Sequence, residues 1–476
     1  MSAATRPLPS SPAPAPPRTD IAALAGLADR LRSAFDAGRS RPIEWRRTQL
    51  KRLKALLREQ ADELVAALQA DLGKPTLEAF TTDVAVVGQE CDLALKNLTR
   101  WMRPERVATP ISQMPGRARL VRDPLGVVLI IAPWNYPVQL LLSPLVGALA
   151  AGNCAVLKPS ELTPHTSAAL ARWVSRYLDP DCIALVEGAV EETAALLEQR
   201  FDHIFYTGNA QVGRVIMQAA ARNLTPVTLE LGGKSPCIVD RDADLPVAAR
   251  RIAWGKFLNA GQTCIAPDYV LVHESREAEL LEQLSSAVTE FYGEDPSQTA
   301  DYGRIVNQRH HRRLTALLSD GEVVIGGQAD EQTRYLAPTI LRNPRLDSAL
   351  MNEEIFGPIL PVLTVKDLDE ALDFVNQRDK PLALYLFSRS ARAERATVER
   401  TSSGGVCVNG VLWHIANPAL PFGGVGPSGM GAYHGRASFE TFSHRKAVVK
   451  KPTWLDLKMI YPPYGKRMTQ LVKRML

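Results

Sequence analysis

The chain lacks the features that mark several common classes of protein. It has only six cysteines in 476 residues, and none forms a C-x-x-C pair, so the spacing of zinc sites and of dithiol redox motifs is missing. No apolar run reaches about 18 residues, which predicts no transmembrane helix. Residues 1–20 are rich in proline, alanine and serine without an apolar core, which excludes a secretory signal peptide and predicts a disordered arm.

An excess of charge of one sign is also missing. The 56 Lys and Arg residues against 51 Asp and Glu residues leave a net charge of +5, which is too small on so long a chain to predict nucleic-acid binding. The pair His310–His311 has no further ligand at metal spacing, so we expect two solvated rings and no metal site. Sparse cysteine is typical of a reducing compartment, so we expect a cytoplasmic protein whose cysteines, except Cys264, are small buried apolar residues.

What is present is a regular alternation of strands and helices. A continuous apolar run at 127–131 predicts a strand buried on both faces, and strand and helix patterns then alternate on either side of about residue 231. This pattern predicts an α/β fold with a doubly wound parallel sheet, which binds ligands beyond the carboxyl ends of its strands. One long helical pattern lies between Pro42 and Gly73, and residues 117–122 predict an antiparallel ribbon of the kind that needs a partner.

The most informative residues are Cys264, in Asn-Ala-Gly-Gln-Thr-Cys, and Glu230, in Leu-Glu-Leu-Gly-Gly-Lys. A thiolate that attacks a carbonyl and a carboxylate that activates water are the groups needed to oxidise an aldehyde through a thioester. A single loop cysteine is otherwise an inert residue, and a reactive one needs a site that favours the thiolate. Burial at a strand end would raise the pKa of Glu230 towards neutrality; the alternatives are an exposed edge residue or an ion pair with Lys234.

Asn135 lies between two prolines in Pro-Trp-Asn-Tyr-Pro, which fix the backbone on both sides. A rigid loop suits a preorganised donor to an oxyanion, although a turn asparagine is the alternative. Lys158 and Glu161 follow a predicted strand, where they can bind ribose hydroxyls or simply begin a helix. Gly208 ends another strand and opens a helix whose N-terminus can face an anion.

Two phosphate-binding patterns match by letter only. The segment 424–429 reads G-x-G-x-x-G, but no strand precedes it. The segment 233–235 resembles the end of a P-loop, but Thr228 stands where the first glycine belongs. Neither pattern therefore predicts a nucleotide site.

Six longer motifs resemble the NAD(P)-dependent aldehyde dehydrogenase superfamily, and the resemblance covers about residues 45–446. In chain order they are P-W-N-Y-P at 133, K-P-S-E at 158, L-E-L-G-G-K at 229, G-Q-T-C at 261, E-E-I-F-G-P at 353 and P-F-G-G-V-G-P-S-G-M-G at 421. Three further segments are similar to the class 3 branch, which includes fatty, aromatic and coniferyl aldehyde enzymes: Thr-Gly-Asn at 207, residues 429–435 and Tyr-Pro-Pro-Tyr at 461.

The resemblance implies roles for individual residues. Cys264 would be the nucleophile, Glu230 the base for thioester hydrolysis, and Asn135 would share the oxyanion with the Cys264 backbone N–H. The cofactor would be NAD or NADP. Its implied binding residues are Lys158 and Glu161 for the adenosine ribose, Gly208 and Gly213 for the pyrophosphate, Glu354 for the nicotinamide ribose, Phe356 for the nicotinamide side, and Trp134.

The resemblance also implies a domain plan. A Rossmann-type cofactor domain would span 21–230 and carry an oligomerisation ribbon at about 108–124. A second α/β domain at 231–420 would be catalytic, and 421–476 would return to the cofactor domain with an oligomerisation strand and a C-terminal helix. The ribbon would form a bridging hairpin that pairs between subunits, so we expect a homodimer.

The expected reaction is oxidation of a medium- or long-chain aliphatic or aromatic aldehyde to the carboxylic acid. The alternatives are a CoA-acylating aldehyde dehydrogenase and a non-enzymatic structural or binding relative of the same fold. Trp413 indicates an apolar or aromatic substrate unless it belongs to the core. The segment after Lys466 carries an apolar stripe flanked by cations, so its helix either packs on its own subunit, as we prefer, or contacts an anionic membrane surface.

Overall fold

The computed structural model describes residues 18–456, 461–466, 469–470 and 473. Residues 1–17 of the predicted arm, and most of the predicted C-terminal helix, lie outside the described residues. The end of the arm is ordered, contrary to the prediction: the Thr19 backbone N–H donates to Glu187 O at 3.0 Å. Asp20 then caps the first helix with its carboxylate.

The chain divides into two compact units. The first runs up to Trp101 and from Pro124 to Ser443, and the second contains Met102–Asp123 and the chain from His444 onwards. The described helices are α1 (Ile21–Leu24), α2 (Leu27–Asp36), α3 (Ile43–Glu59), α4 (Ala61–Leu72), α5 (Thr76–Ala79), α6 (Val86–Met102), α7 (Pro137–Ala151), α8 (Pro164–Tyr177), α9 (Val190–Leu197), α10 (Ala210–Ala221), α11 (Leu245–Phe257), α12 (Glu277–Tyr292), α13 (Gln308–Ala316), α14 (Ala349–Asn352), α15 (Leu368–Asn376), α16 (Ala391–Arg400), α17 (Trp413–Ala416) and α18 (Gly435–Thr441). The described strands are β1 (Glu105–Val107), β2 (Arg117–Pro124), β3 (Val127–Ile131), β4 (Cys154–Lys158), β5 (Ile183–Leu185), β6 (His203–Thr207), β7 (Val227–Glu230), β8 (Pro236–Val239), β9 (Tyr269–His273), β10 (Glu322–Ile325), β11 (Ala329–Asp330), β12 (Tyr335–Leu336), β13 (Thr339–Arg342), β14 (Ile359–Val365), β15 (Ala383–Phe387), β16 (Gly405–Val408), β17 (Gly429–Met430) and β18 (Ser443–Lys450).

A six-stranded sheet contains the first half of the alternating pattern, in the order β17-β7-β6-β3-β4-β5. All its pairings are parallel except that of β17 with β7. The chain moves outward from β3 to β4 and β5, then returns to place β6 on the other side of β3. The loops after β3 and β6 therefore flank a crevice at the point where the strand order reverses, which is where such sheets bind ligands.

A seven-stranded sheet contains the second half, in the order β10-β13-β14-β9-β8-β15-β16, and only β10 runs antiparallel. Its central strands β8, β9 and β15 are buried almost throughout, as their runs of β-branched and apolar residues predict. The two sheets confirm the predicted α/β class. The assignment of one to the cofactor and the other to catalysis remains a functional interpretation.

The second unit contains a three-stranded sheet in the order β1-β2-β18. The antiparallel pairing of Arg119 with Arg106 places the predicted ribbon residues in its central strand. All three residues of β1, and most of β18, are exposed. A sheet this small buries little apolar surface of its own.

The N-terminal helical pattern forms two helices rather than the single one predicted. Gln60, with φ −111°, interrupts it between α3 and α4. The leucine stripe is unaffected because it continues on the buried faces of both helices. Gly73 ends the second helix in the left-handed conformation, with φ 64°, as its position predicts.

Candidate active site

Cys264 follows a tight turn that only unusual backbone angles allow. Asn259, Ala260 and Gly261 have φ values of 52°, 51° and 73° in succession, in the left-handed region that non-glycine residues rarely adopt. A Cβ on Gly261 would lie 2.2 Å from the Gly357 carbonyl oxygen. Residue 261 must therefore be glycine, and the surrounding structure must hold the turn in place.

The Cys264 thiol is partly accessible, as predicted, but its surroundings do not favour the thiolate. Burial, followed by the carboxylates of Glu354 and Glu230, raises the pKa of the thiol to about 12. Backbone N–H groups of Cys264 and Ile265 act in the opposite direction. The expectation of a site that favours the anion is wrong for this arrangement, because the sulfur is shielded from solvent and two acidic groups lie near it.

Glu230 is the last residue of β7 and is 3% exposed. Neither carboxylate oxygen has a hydrogen-bond partner among the described residues, and burial raises the pKa of this carboxyl well above its ordinary value. Lys234 does not pair with it, because the Lys234 ammonium donates to Asp268 at 2.5 Å. Both alternatives, an exposed edge residue and an ion pair with Lys234, are therefore wrong, and the predicted rise in pKa is confirmed.

Asn135 is 2% exposed and lies in the loop between β3 and α7. Its side-chain amide donates to the carbonyl of Gln262 at 3.0 Å, and its own oxygen has no partner among the described residues. The adjacent Tyr136 hydroxyl lies 2.6 Å from Thr263 Oγ1. These two contacts bind the Asn135 loop to the two residues that precede Cys264, and they leave the second amide hydrogen of Asn135 available to an oxyanion.

A buried ion pair that the sequence did not reveal supports this loop. Lys74 and Asp83 are fully buried and 2.6 Å apart. The Lys74 ammonium also donates to Asn135 O at 2.8 Å and lies 3.8 Å from the Tyr136 ring centroid. No motif marks this pair; only two opposite charges nine positions apart after Gly73 were visible.

A second residue missed from sequence holds the nucleophile turn. The Glu78 carboxylate accepts the backbone N–H of Asn259 at 2.8 Å, and Asn259 in turn donates to Asn135 O at 2.9 Å. Burial raises the pKa of Glu78 to about 7, against the effect of Lys74. One hydrogen-bonded chain thus connects the acid on α5, the strained turn and the amide loop.

The structure brings the predicted catalytic residues together. Cys264 interacts electrostatically with Glu230, and the Tyr433 hydroxyl interacts with both. Several of the buried polar atoms that lack a partner in the described part of the chain belong to this site: Asn135 Oδ1, Glu230 Oε1 and Oε2, Thr207 Oγ1 and Tyr433 OH. Buried polar atoms without partners are costly, so atoms of this kind beside a thiol are candidates for contact with a bound or reacting molecule. Tyr433 was named in the sequence only as part of a branch motif.

The residues predicted to hold the ribose and nicotinamide groups suit polar ligands. Lys158 is buried and uses two donors on the carbonyls of Pro159 and Gly188, which leaves its third ammonium hydrogen free; Glu161 is half-buried beyond it. A Cβ on residue 232 would lie 2.0 Å from the Glu354 carboxylate, so a glycine is needed at 232 to leave room for that carboxylate. Burial raises the pKa of Glu354 to about 8.

The predicted pyrophosphate glycines occupy two different environments. Gly208 is half-buried between β6 and α10, where a Cβ would lie 2.2 Å from the Tyr206 hydroxyl. Gly213 is buried in α10, and a Cβ there would lie 3.0 Å from a Leu231 methyl. The packing of α10 on the sheet therefore accounts for Gly213, and its contact with the cofactor stays a prediction.

Trp134 and Phe356 form an edge-to-face pair, with ring centroids 5.4 Å apart. His310 packs on the same indole at 5.5 Å, and burial lowers the pKa of its imidazole to about 4. His311 is buried, with Nε2 2.7 Å from Tyr335 O. The expectation of two solvated histidines is therefore wrong, because α13 turns both rings inward. Within the described residues no cluster of three His, Cys, Asp or Glu side chains could hold a metal ion.

A cavity of about 630 Å³ lies beside the free edge of β16. Trp254 and Trp413 stack at its wall with centroids 6.0 Å apart, and both are exposed, so Trp413 does not belong to the core. Cys407 also lines this cavity and is half-buried, which corrects the expectation that it is a buried residue. The remaining cysteines outside the site are buried as predicted.

A thiol, an unpaired buried carboxylate and an amide donor are the groups that covalent catalysis through a thioester requires. The comparisons with known proteins give the family. The chain belongs to the aldehyde dehydrogenase family, whose family model matches residues 14–448.

Among curated relatives, mouse aldehyde dehydrogenase family 3 member A2 is 51% identical over 91% of this chain and 90% of its own length. Human family 3 member B1 is 50% identical over 93% of this chain and 95% of its own. A solved structure described as the substrate-bound state of Staphylococcus aureus AldH is 45% identical, has a TM-score of 0.92 and covers 96% of this chain and 100% of its own. The chain is thus an NAD(P)-dependent aldehyde dehydrogenase of the class 3-like branch, and both cofactors are consistent with it.

Proposed function

We propose that Cys264, Glu230 and Asn135 carry out the oxidation through a thioester on Cys264. The Cys264 thiol loses its proton to solvent as the sulfur adds to the aldehyde carbon, and the carbonyl electron pair moves to the oxygen. The second Asn135 amide hydrogen and the Cys264 backbone N–H stabilise the resulting oxyanion. The nicotinamide of the bound cofactor supplies the hydride acceptor. Glu230 then takes a proton from water, the water oxygen bonds to the acyl carbon, and the carbon–sulfur bond breaks to release the acid.

The unpaired Glu230 carboxylate facing Cys264 is the observation that carries this proposal. Cys264→Ala is expected to lower turnover by at least about 10⁴-fold, whereas Cys91→Ala, a buried cysteine on α6, serves as the matched control with little change. The measurement is NADH absorbance with purified protein. A Cys264→Ala variant that keeps its kcat would refute the nucleophile.

The CoA-acylating alternative differs only in the group that takes the acyl chain. Water needs a base, and Glu230 is placed to be one, which favours hydrolysis. Omitting CoA from the assay should leave turnover unchanged, and a strict requirement for CoA would reverse the assignment. NADH formation without CoA also excludes a purely structural or binding role.

The substrate class we infer is an apolar aldehyde, aliphatic or aromatic. The exposed Trp254–Trp413 pair, which lies between α11 and α17, supports this inference. We expect kcat/KM with NAD and with NADP to rise with chain length across a series of aliphatic aldehydes and to be high for benzaldehyde. Equal values for acetaldehyde and octanal would contradict it.

We also propose a homodimer in the cytoplasm. The exposed three-stranded sheet and the free edge of β16 support self-association, and the free cysteine thiols support a reducing compartment. A mass in light scattering near twice 52.2 kDa is the expected result, and a monomer would contradict the dimer. Cell fractionation tests the location.

Whether the C-terminal segment contacts a membrane is a separate matter. No described helix is long and apolar enough to cross one. Co-sedimentation of full-length and 1–465 protein with anionic vesicles tests surface contact, and equal, negligible binding supports packing on the protein itself.

A further inference from the structure

Tyr433 is a fully buried residue whose ring and backbone are both fixed. Its backbone N–H donates to Phe422 O at 2.8 Å and its carbonyl accepts the Phe422 N–H at 3.0 Å. The ring meets Phe205 edge to face at 5.2 Å and stacks on His434 at 4.1 Å. The side chain therefore cannot turn to find another partner.

The Tyr433 hydroxyl has no hydrogen-bond partner among the described residues, although it is buried. It interacts electrostatically with Glu230 and Cys264, and more weakly with Glu90. Burial, followed by these neighbours, raises the pKa of the phenol well above its ordinary value, so the hydroxyl keeps its proton and remains a donor.

Packing does not account for this hydroxyl. A phenylalanine would make the same ring contacts with Phe205, Phe422 and His434 without burying an unpaired polar atom. Among the charged groups that interact with this hydroxyl, Glu230 comes first, and both of its carboxylate oxygens lack partners in the described part of the chain. A donor without an acceptor and an acceptor without a donor thus face the same reacting sulfur.

We propose that the Tyr433 hydroxyl is a positioning residue for the water that Glu230 activates during hydrolysis of the Cys264 thioester. This inference rests on the proposed roles of Cys264 and Glu230. Tyr433 donates one hydrogen bond to the water oxygen, the water gives its proton to Glu230, and the remaining lone pair of its oxygen forms the new bond to the acyl carbon. The carbon–sulfur bond breaks and the thiolate leaves, while Tyr433 keeps its own proton.

The test compares Tyr433→Phe with wild-type protein in two measurements: steady-state kcat with NAD, and intact mass after rapid acid quench. We expect kcat to fall about ten- to hundredfold, the effect of losing one hydrogen bond to a developing charge. Cys264 should become acylated in the quenched variant, because acylation continues while hydrolysis slows. Thermal stability should be unchanged or higher, since an unpaired buried hydroxyl is removed.

Two variants make the result interpretable. Tyr335→Phe removes the hydroxyl of another buried tyrosine, on β12, and should behave as wild type in both measurements. Glu230→Gln should show the same slow turnover and acylated Cys264 as Tyr433→Phe. If Glu230→Gln is not acylated on Cys264, the thioester route itself is wrong.

Two outcomes would overturn the role of Tyr433 while leaving that route intact. One is a Tyr433→Phe variant with wild-type kcat and no accumulation of acylated protein. The other is a variant that loses turnover and acylation together, which would place the hydroxyl in the first half of the reaction.

Discussion

The protein has two buried charged centres, and they are built in opposite ways. At one, the Lys74 ammonium and the Asp83 carboxylate satisfy each other, and both find further backbone partners. At the other, the Glu230 carboxylate is also buried, and it has no hydrogen-bond partner in the part of the chain that the structure describes. The first centre holds the backbone of the Asn135 loop in place. The second leaves its carboxylate oxygens free to accept hydrogen bonds from a reacting molecule.

The comparison shows how the same protein treats burial of charge in two ways. Substituting one member of a buried ion pair destabilises the fold, because the other member is left as an unpaired charge in an environment that solvates it poorly. A buried carboxylate without a partner instead destabilises the fold when it is ionised. Such groups are typical of functional sites, where the reaction needs them. Four substitutions would break or sharpen this contrast.

The largest effect on stability should come from Lys74→Met. It leaves Asp83 buried without its cation, which we expect to lower the free energy of unfolding by about 3–5 kcal/mol. Urea denaturation measures this change. Lys54→Met, which breaks an exposed pair with Asp92, is the control, with a loss below about 1 kcal/mol. Equal losses in the two variants would remove the distinction between the centres.

Asn135→Ala should affect the reaction more than the fold. Removing the amide that faces the oxyanion should lower kcat/KM by about 10²–10³-fold. Asn97→Ala removes a half-buried amide that also donates to a backbone carbonyl, and should leave kcat/KM unchanged. A rise in KM alone, with kcat preserved, would argue for a substrate-binding rather than an oxyanion role.

Glu230→Gln tests the unpaired centre through the pH dependence of folding stability. A carboxyl whose pKa is raised on folding stabilises the protein most below its ordinary value of 4.5, and that stability is lost as pH rises through the folded pKa. The variant should therefore match wild type in thermal melts near pH 4 and exceed it at pH 8, by about 1.4 kcal/mol for each unit of raised pKa. A variant that is less stable than wild type at pH 8 would mean that Glu230 is paired.

The smallest effect should come from Glu354→Gln. Loss of one carboxylate facing Cys264 should lower the pKa of the thiol, so that alkylation by iodoacetamide begins at lower pH than in wild type. Glu353→Gln, at the exposed neighbouring position, is the control. An unchanged alkylation profile would show that burial alone raises the thiol pKa.

Sequence reasoning found the site residues whose chemistry is local. Each of these residues lies in a short motif that contains both the reactive group and the glycines or prolines that shape the adjacent turn: Cys264, Glu230 and Asn135. The bounds of β3 also agree with the apolar run at 127–131, because a strand that is buried on both faces is apolar over its whole length.

Residues that act through distant partners could not be found in this way. Glu78 matters because it accepts the backbone N–H of Asn259, 181 positions along the chain, and nothing local to either residue indicates the contact. Tyr433 was visible only as a letter in a motif, since its significance lies in what its hydroxyl lacks. The inward turn of His310 likewise depends on Trp134 from another element.

The connection between the two sheets is short: β7 ends at Glu230 and β8 begins at Pro236. Only five residues therefore connect Glu230 to the seven-stranded sheet, whose part of the chain carries Cys264. Lengthening that connection by a single amino acid would displace one reagent from the other while leaving both motifs intact. Chimeras that exchange halves with relatives should be joined elsewhere, and loop-length variation between family members should be confined to segments outside this crossing.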